Sequence, residues 1–163
     1  MPNNVTTGAA GEHYVMYRLL QRGLIAALAP AGVPNADILV TDVIGDKVCA
    51  VQVKARQALG ADRGWHMGKK HEEIRSANIY YCFVGMETDP PKCWIVPSEI
   101  VAGALTVTHK KWLSVRGRRG QVHNDSNVRR LCEVYPLLPD NYRLGWMDRY
   151  LEAWDQLRTA AEG

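Results

Sequence analysis

The sequence predicts a single α/β domain in which a central mixed β-sheet is flanked by helices. The chain has 163 residues, of which 47% are hydrophobic and 23% are charged, and this composition fits one globular domain with a core of its own. Helical and β-type patterns alternate in the order helix, hairpin, helix, strands, helices, which is typical of helices packed on a sheet. Because no internal repeat or linker interrupts the chain, we expect residues 1–163 to form one unit.

The first expected element is an amphipathic helix that carries a carboxylate on its apolar side. Thr6 or Thr7 can cap this helix, and Gly23 can end it. Its apolar residues at helical spacing are Val15, Met16, Leu19 and Leu20. Glu12 falls on the same stripe, where a carboxylate is costly unless it is paired with a cation or a metal ion.

The second expected element is a β-hairpin. Residues 36–44 and 47–55 are rich in β-branched side chains and flank Gly45-Asp46. A Gly-X pair between two such segments suits a type II′ turn.

A two-residue turn at this place fixes which residues of the two strands lie opposite each other. Leu39 would face Gln52, and Asp37 would face Lys54. Because side chains alternate between the faces of a strand, Asp37, Gln52 and Lys54 should all project from the same face of the sheet.

The second half of the chain is expected to continue the alternation of strands and helices. The expected elements are a helix around His71 and Ile74, strands at residues 78–85 and 93–96, a helix that starts at residues 97–99, a basic loop at residues 109–130 and a C-terminal helix at residues 140–160. The last helix would place Met147, Tyr150 and Trp154 on one face.

Basic residues are concentrated in two segments. Residues 109–130 carry a net charge of +6 and residues 54–75 a net charge of +3, whereas the rest of the chain carries −6. This distribution indicates a polyanionic partner, although a pair of solvated loops would give the same composition. The candidate nucleic-acid-binding residues are Lys69, Lys70, Lys110, Lys111, Arg116, Arg118 and Arg119.

The sequence argues against several other classes of protein and site. The longest nearly apolar run, residues 24–33, is half the roughly 20 residues that a membrane span requires, and Pro30 breaks it. Four widely spaced cysteines without a CxxC motif argue against a disulfide framework and a zinc finger, and they favour a cytoplasmic location. Without a GxxxxGK[ST] or GxGxxG motif, we expect no nucleotide cofactor.

Each polar residue of the first helix and the hairpin also has a purely structural interpretation. Glu12 could interact favourably with the helix macrodipole, and Asp37 could be a turn residue. Lys54 could be a solvated strand end, and Gln52 could bond to a neighbouring backbone. The convergence of all four on one place favours a site over four independent structural roles.

Three short motifs resemble the PD-(D/E)xK nuclease superfamily, which includes restriction enzymes and archaeal Holliday-junction resolvases. They are Gly11-Glu12 on the first helix, Asn35-Ala36-Asp37 at the start of one strand and Val51-Gln52-Val53-Lys54 on the next. The resemblance covers roughly residues 8–100 and implies a restriction-endonuclease-like fold. In two departures from the family pattern, Asn35-Ala36 replaces the Pro of the first motif, and Gln52 replaces the acid of (D/E)xK, as in branches that include some homing endonucleases.

The resemblance implies hydrolysis of phosphodiester bonds with Mg²⁺ or Mn²⁺ as the cofactor. Asp37 would be the primary metal ligand, and Glu12, the Gln52 amide oxygen and the Val53 carbonyl would complete the site. Lys54 would orient the attacking water or stabilise the charge that develops on the phosphorane-like oxygens. Because Gln52 is neutral, we expect weaker metal binding than in a site with three carboxylates.

The expected function is therefore that of a metal-dependent DNA endonuclease. The alternatives are a catalytically inactive nuclease-fold module that binds nucleic acid and a subunit of a larger complex. Gln52 favours an inactive module, whereas Glu12, Asp37 and Lys54 together favour an enzyme. Cutting both strands of a duplex usually requires two active sites, so we expect a homodimer with the C-terminal helix as its candidate interface.

Overall fold

The computed structural model describes residues 3–45 and 48–162. In this part of the chain, the helices are α1 (Asn4–Gln21), α2 (Ser98–Ser114), α3 (Pro139–Tyr142) and α4 (Asp155–Glu162). The strands are β1 (Ile25–Leu28), β2 (Ile38–Thr41), β3 (Val48–Arg56), β4 (Gly64–Gly68), β5 (Ile79–Gly85), β6 (Lys92–Pro97) and β7 (Val128–Cys132). The predicted strands at residues 78–85 and 93–96 and the predicted helix start near Ser98 are confirmed.

A five-stranded sheet in the order β1-β2-β3-β5-β6 organises the molecule. The pairing of β3 with β5 is parallel, and the other pairings in this sheet are antiparallel. The predicted α/β class with a central mixed sheet flanked by helices is therefore confirmed. Strands β4 and β7 form a separate antiparallel two-stranded ribbon, which the sequence patterns did not predict.

The central sheet separates two hydrophobic cores. On the first face, α1 and α4 pack against alternate residues of β3, including Val51 and Val53. On the second face, α2 and the β4–β7 ribbon pack against β5 and β6, where Tyr81 and Phe83 are fully buried. Gln52 and Lys54 alternate with Val51 and Val53 along β3, so they belong to the second face.

Helix α1 lies very close to β3 because a glycine faces the strand. The buried stripe of the helix consists of Thr7, Gly11, Val15 and Leu19. A Cβ atom on Gly11 would lie 2.7 Å from the Cβ of Ala55, so a larger side chain would push the helix away. The N-cap is Asn3, whose side chain accepts a hydrogen bond from the Thr6 N–H at 2.9 Å, in place of the predicted Thr6 or Thr7.

The predicted hairpin exists, but its register is shifted by two residues. Leu39 lies opposite Ala50 and not opposite Gln52. The physical reason is a longer connection, in which the Asp42 side chain accepts hydrogen bonds from the N–H groups of Ile44 and Gly45. A shift of two residues keeps Gln52 and Lys54 on one face. Asp37 precedes β2 and turns its side chain to the N–H of Val53 at the strand edge, so the prediction that it projects from the same face is wrong.

The type II′ turn was predicted at Gly45-Asp46. Gly45 has a φ of +81°, which favours glycine. Asp46 lies outside the described residues.

The predicted continuous helix at residues 140–160 is wrong. This segment instead forms α3, a 3₁₀ turn at Asp148–Tyr150 and α4. Met147 and Tyr150 pack in the second core, whereas Trp154 packs in the first, and one straight helix cannot reach both sides of the sheet. Because these side chains are buried in the core of their own chain, they do not form the predicted dimer interface.

Two other predicted elements have different bounds. Helix α2 continues to Ser114 and β7 begins at Val128, so the loop between them comprises residues 115–127 and not residues 109–130. The predicted helix around His71 is a single 3₁₀ turn at Lys69–Glu72. Among the helices of the described residues, none combines the length and the apolar character that crossing a bilayer requires.

Candidate active site

The edge of β3 that faces β2 is completed by Asp37. Ala50 donates its N–H to the Asn78 carbonyl, on the side of β5, so the backbone groups of Val51 and Val53 face the opposite side, towards β2. Asp37 donates its N–H to the Val51 carbonyl at 2.9 Å, and its side-chain Oδ2 accepts the Val53 N–H at 2.7 Å. The carboxylate therefore occupies the place that the next residue of a longer β2 would take.

Two oxygen atoms are brought together at this edge. The Val53 carbonyl points to the same side as the Val53 N–H, because both groups of a strand residue face the same neighbour. The second carboxylate oxygen of Asp37, Oδ1, accepts no hydrogen bond from the residues that the structure describes. The Asp37 Oδ1 and the Val53 carbonyl thus both remain available to a ligand.

Gln52 carries a buried oxygen without a hydrogen-bond donor. The residue is only 7% exposed, and its side-chain Oε1 has no partner among the residues that the structure describes. Its neighbour across the sheet is Tyr81 of β5. Leaving such an acceptor unpaired inside a protein costs about 1–3 kcal/mol, so this oxygen requires an explanation.

Lys54 lies half-buried two residues further along β3, beside Phe83 of β5. Burial lowers the pKa of its ammonium group, and the charge of Lys70 acts in the same direction. The negative charges of Asp37 and Glu12 oppose this shift. The ammonium is therefore within electrostatic range of both carboxylates.

Glu12 lies beside Gly11 on the flank of the buried stripe of α1 and is half-buried. Burial raises the pKa of its carboxyl group, and so does the negative charge of Asp37, while His13 and Lys54 act in the opposite direction. Helix α1 covers the first face of β3, whereas Lys54 belongs to the second. Glu12 and Lys54 thus act electrostatically on each other and on Asp37 from opposite faces of β3.

Glu12, Asp37 and Lys54 thus lie within electrostatic range of one another, and Gln52 precedes Lys54 by two residues on the same face of β3. Asp37 lies at the strand edge, Gln52 and Lys54 project from the second face, and Glu12 approaches from the helix on the first face. The sequence analysis placed Glu12 on the buried stripe of the helix. Its position beside that stripe leaves the carboxylate half-exposed at the sheet edge.

The donor atoms at this place are chemically suited to a hard divalent cation. Two carboxylates, one amide oxygen and one backbone carbonyl are all oxygen ligands, which Mg²⁺ and Mn²⁺ prefer. The orphaned Gln52 Oε1 is the observation that fits a missing ligand. The described residues contain no group of three or more His, Cys, Asp and Glu side chains placed to hold a metal ion, so the negative charge of the site comes from Glu12 and Asp37 alone.

The sequence analysis missed a buried histidine behind the site. His71 is 2% exposed, and its Nδ1 lies 2.7 Å from the Tyr81 hydroxyl oxygen. Burial lowers the pKa of His71 to about 4, and the charges of Lys54 and Lys70 act in the same direction. His71 and Tyr81 belong to different elements, so no sequence spacing could have related them.

The predicted nucleic-acid-binding residues fall into three groups. Lys70 lies within electrostatic range of Lys54, whereas Lys69 forms a 2.9 Å ion pair with Asp125. Asp125 also bonds to His109 of α2 and thereby connects the two basic segments. The third group is exposed on the end of α2 and the following loop: Lys110, Lys111, Arg116, Arg118 and Arg119.

The loop at residues 115–127, which carries Arg116, Arg118 and Arg119, is anchored to α2 by aromatic stacking. The rings of Trp112 and His123 are nearly parallel, with centroids 3.9 Å apart, and His109 stacks on Trp112 with its centroid at 5.4 Å. Gly120 has a φ of +77° and forms a turn in which its N–H donates to the Gly117 carbonyl. The loop therefore has a defined shape in spite of its high charge.

The fold is similar to that of known nucleases, although the sequence gives no such match. No protein-family model matches the chain, and no curated protein matches its sequence. The structure of a bacterial homing endonuclease, I-Ssp6803I, aligns with a TM-score of 0.56 and 15% identity over 99% of this chain and 96% of that one. The structure of Hjc, a Holliday junction resolvase from the archaeon Archaeoglobus fulgidus, aligns with a TM-score of 0.46 and 15% identity over 77% of this chain and 84% of that one. The likeness to the homing endonuclease shows the fold of this chain, which is the restriction-endonuclease-like fold that the short motifs implied.

Proposed function

We propose that this chain is a metal-dependent endonuclease that hydrolyses phosphodiester bonds of DNA. The observation that carries the proposal is the buried, unpartnered Oε1 of Gln52 on the same face of β3 as Lys54, whose ammonium lies within electrostatic range of Asp37 and Glu12. An unpaired buried acceptor costs about 1–3 kcal/mol, and a bound partner that takes its lone pair removes this cost. A divalent cation is such a partner, and the likeness to a homing endonuclease supports the same function.

The proposed metal ligands are Asp37, Glu12, the Gln52 amide oxygen and the Val53 carbonyl. Asp37 is the primary ligand, because the Val53 N–H fixes its carboxylate at 2.7 Å and its negative charge attracts the cation. When bound, Mg²⁺ or Mn²⁺ supplies a Lewis acid for the phosphate oxygens and lowers the pKa of water. Because Gln52 contributes no charge, Glu12 is the second source of negative charge at the site.

Lys54 is the proposed catalytic cation. Its ammonium group lies near the two carboxylates on one side and faces an open cleft on the other. In that position it orients the attacking water or stabilises the negative charge that develops on the non-bridging oxygens. Burial strengthens this electrostatic effect, because the local dielectric constant is lower than in water.

A specific observation also favours a second candidate function, a nuclease-fold module that binds nucleic acid without cleaving it. The described residues hold two carboxylates at this place and no third His, Cys, Asp or Glu that could bind a metal with them. Such a module could act alone or as a subunit of a larger complex. Such a module would bind nucleic acid through the exposed basic residues but would not hydrolyse its phosphodiester bonds.

Cleavage assays with the full chain separate these two functions. We expect the purified protein to cut plasmid or branched DNA in Mg²⁺ or Mn²⁺ and not in EDTA, and we expect Asp37→Asn to abolish cutting. The matched control is Asp140→Asn, which removes the same charge from an exposed aspartate of the C-terminal segment. If the wild-type chain binds DNA but cuts no substrate in either metal, and Asp37→Asn changes nothing, the binding module replaces the nuclease.

The proposal includes a homodimer, because a protein with one active site must act twice on a duplex. The interface predicted from the sequence is buried in the chain's own core, so the dimer must use another surface. Analytical ultracentrifugation of the protein with duplex DNA should show two chains per duplex. A single chain per duplex at all concentrations would indicate nicking of one strand.

A further inference from the structure

A cleft of about 510 Å³ lies beside Lys54. The start of α1 forms one wall, the end of β3 forms the floor, and the β4–β7 ribbon forms the other wall. The polar side chains that line the cleft include Asn4, Thr7, Lys54, Arg56, His66 and Arg130. The cleft therefore shares Lys54 with the proposed nuclease site.

The lining of the cleft carries positive charge without carboxylates. Lys54, Arg56 and Arg130 contribute three cations, and none of the described residues that line the cleft is an aspartate or a glutamate. The charge of Arg56 is neutralised from behind by Glu87 and Glu133. Arg130 is likewise paired with Asp62, so Lys54 is the cation without an ion pair among the described residues that line the cleft, and the absence of a carboxylate from this lining suits an anion.

Arg130 is held in a fixed orientation towards the cleft. Its Nε and Nη2 both donate to the Asp62 carboxylate, each at 2.7 Å. This two-point bond immobilises the guanidinium plane, while Nη1 donates to no other described residue. A fixed guanidinium with one unused nitrogen can bind a phosphate oxygen without a large loss of side-chain entropy.

The β4–β7 ribbon also places His66 in the lining of the cleft, opposite Arg130. Trp65 and Leu131 of the ribbon are buried in the second core. His66 and Arg130 alternate with them, are direct cross-strand partners and line the cleft together. The core does not use this face of the ribbon, and His66 is exposed on it.

We infer that the cleft binds a phosphate of the DNA strand next to the scissile phosphate, with His66 and Arg130 as its ligands. The inference rests on the proposed function, since it takes Lys54 to mark the scissile phosphate. A nucleic-acid strand is the occupant that joins the two places, because successive phosphates of one strand would contact Lys54 and then the ribbon. The phosphate of a free nucleotide has the same chemistry, and the test below distinguishes the two.

The test measures binding without cleavage. A short fluorescein-labelled DNA duplex is titrated with the full chain in EDTA, and the dissociation constants of the wild type and His66→Glu are compared. The matched control is Gln21→Glu, which makes the same charge change at an exposed position about 21 Å further along α1 than Thr7. We expect His66→Glu to weaken duplex binding about tenfold, because it places a like charge beside a phosphate, and Gln21→Glu to have little effect.

Two further measurements make the result decisive. His66→Ala, which adds no charge, should weaken duplex binding by less than His66→Glu does. Equal dissociation constants for His66→Glu and Gln21→Glu would overturn the inference. So would binding of deoxycytidine monophosphate that depends on His66 while duplex binding does not.

The failure of this inference differs from the failure of the proposed function. If the wild type cuts DNA in Mg²⁺ and His66→Glu binds and cuts normally, the cleft is not a phosphate site although the chain is a nuclease. If the wild type cuts nothing but His66→Glu still weakens duplex binding, the phosphate site stands and the chain is a binding module.

Discussion

The side-chain Oδ2 of Asp37 accepts the backbone N–H of Val53 at 2.7 Å. This hydrogen bond lies where the pairing of β2 with β3 ends, and it fixes the Asp37 carboxylate beside the Val53 carbonyl. The charge of Asp37 and its capacity to accept a hydrogen bond can be separated by substitution.

Asp37→Asn should retain the fold and lose the function. The amide oxygen of Asn can still accept the Val53 N–H, so the free energy of unfolding should change little, whereas Asp37→Ala should lose about 1 kcal/mol with the hydrogen bond. Both variants should lose Mn²⁺ binding, because the charge is gone. Urea unfolding and calorimetric Mn²⁺ titration measure the two effects, and Mn²⁺ binding retained by Asp37→Ala would exclude Asp37 as the primary ligand.

Gln52→Met should make the protein more stable and less active. Met has a similar volume and needs no hydrogen bond, so the metal-free protein should gain about 1 kcal/mol in unfolding free energy. Thr41→Val is the control, because the Thr41 Oγ1 is also buried without a partner among the described residues. It should stabilise the protein without any loss of cleavage. If Gln52→Met cuts DNA at the wild-type rate, Gln52 is not a ligand.

Gln52→Glu tests whether the amide is a working ligand or a remnant of a lost site. A carboxylate at this position adds a negative charge to the site, so Mn²⁺ affinity should stay the same or rise. Gln52→Ala should reduce cleavage by less than Asp37→Ala, because Asp37 is the proposed primary ligand and carries a negative charge that Gln52 lacks. If the wild type binds no Mn²⁺ and Gln52→Glu creates binding, the chain is an inactive descendant of a nuclease.

The local parts of the fold were predictable from the sequence, but the long-range parts were not. Strands β3, β5 and β6 carry β-branched and aromatic residues next to turn residues, and the sequence patterns located them. Strand β4 reads Gly-Trp-His-Met-Gly and has no β-branched residue; it pairs with β7, far away in the chain, and packs Trp65 and Met67 into the second core. Tertiary contacts decide such a strand.

The candidate site was partly predictable for a related reason. Residue alternation placed Gln52 and Lys54 on one face, and a register error of two residues did not change this, since the period of a strand is two. The approach of Glu12 around the strand edge depends on where β2 begins, which a pattern does not determine. The contact between His71 and Tyr81 joins two elements whose relative position only the fold defines.

Lys54→Ala should separate metal binding from catalysis. The proposed role of Lys54 lies in the transition state, so Mn²⁺ affinity should stay nearly unchanged while the rate at saturating DNA falls by about 100-fold or more. Single-turnover cleavage and calorimetric titration measure the two quantities. An unchanged single-turnover rate in Lys54→Ala would show that Lys54 is not the catalytic cation. Lys70, which lies within electrostatic range of Lys54, would then be the candidate for this role.

The exposed cations of residues 109–130 should determine how DNA binding depends on salt concentration. Arg129 is buried against Glu72, and Arg130 bonds to Asp62, which leaves five exposed cations in this segment: Lys110, Lys111, Arg116, Arg118 and Arg119. If all five contact phosphates, log K should fall against log salt with a slope of about −4 to −5.

Neutralising the three loop arginines tests this assignment. Replacing Arg116, Arg118 and Arg119 together by Gln should make the slope shallower by about 2 to 3. The control replaces three other exposed cations, Lys92, Arg143 and Arg149, and removes the same total charge. If both triple variants change the slope equally, the effect comes from net charge, and the loop has no special role.

His71 should make the stability of the fold depend on pH. Its pKa in the folded protein is about 4, against an ordinary value of 6.5, so between these two pH values the unfolded chain binds a proton that the folded chain does not. The free energy of unfolding should therefore fall as the pH is lowered from 6.5 to 4, by up to about 3 kcal/mol. His71→Gln should lose this part of the pH dependence.

The control is Tyr81→Phe, which removes the hydroxyl partner of His71 and not the burial that lowers its pKa. This variant should be less stable than the wild type by about 1 kcal/mol at every pH, and its unfolding free energy should keep the wild-type dependence on pH. Urea unfolding across this pH range measures all three proteins, and a His71→Gln curve parallel to that of the wild type would show that another group is responsible.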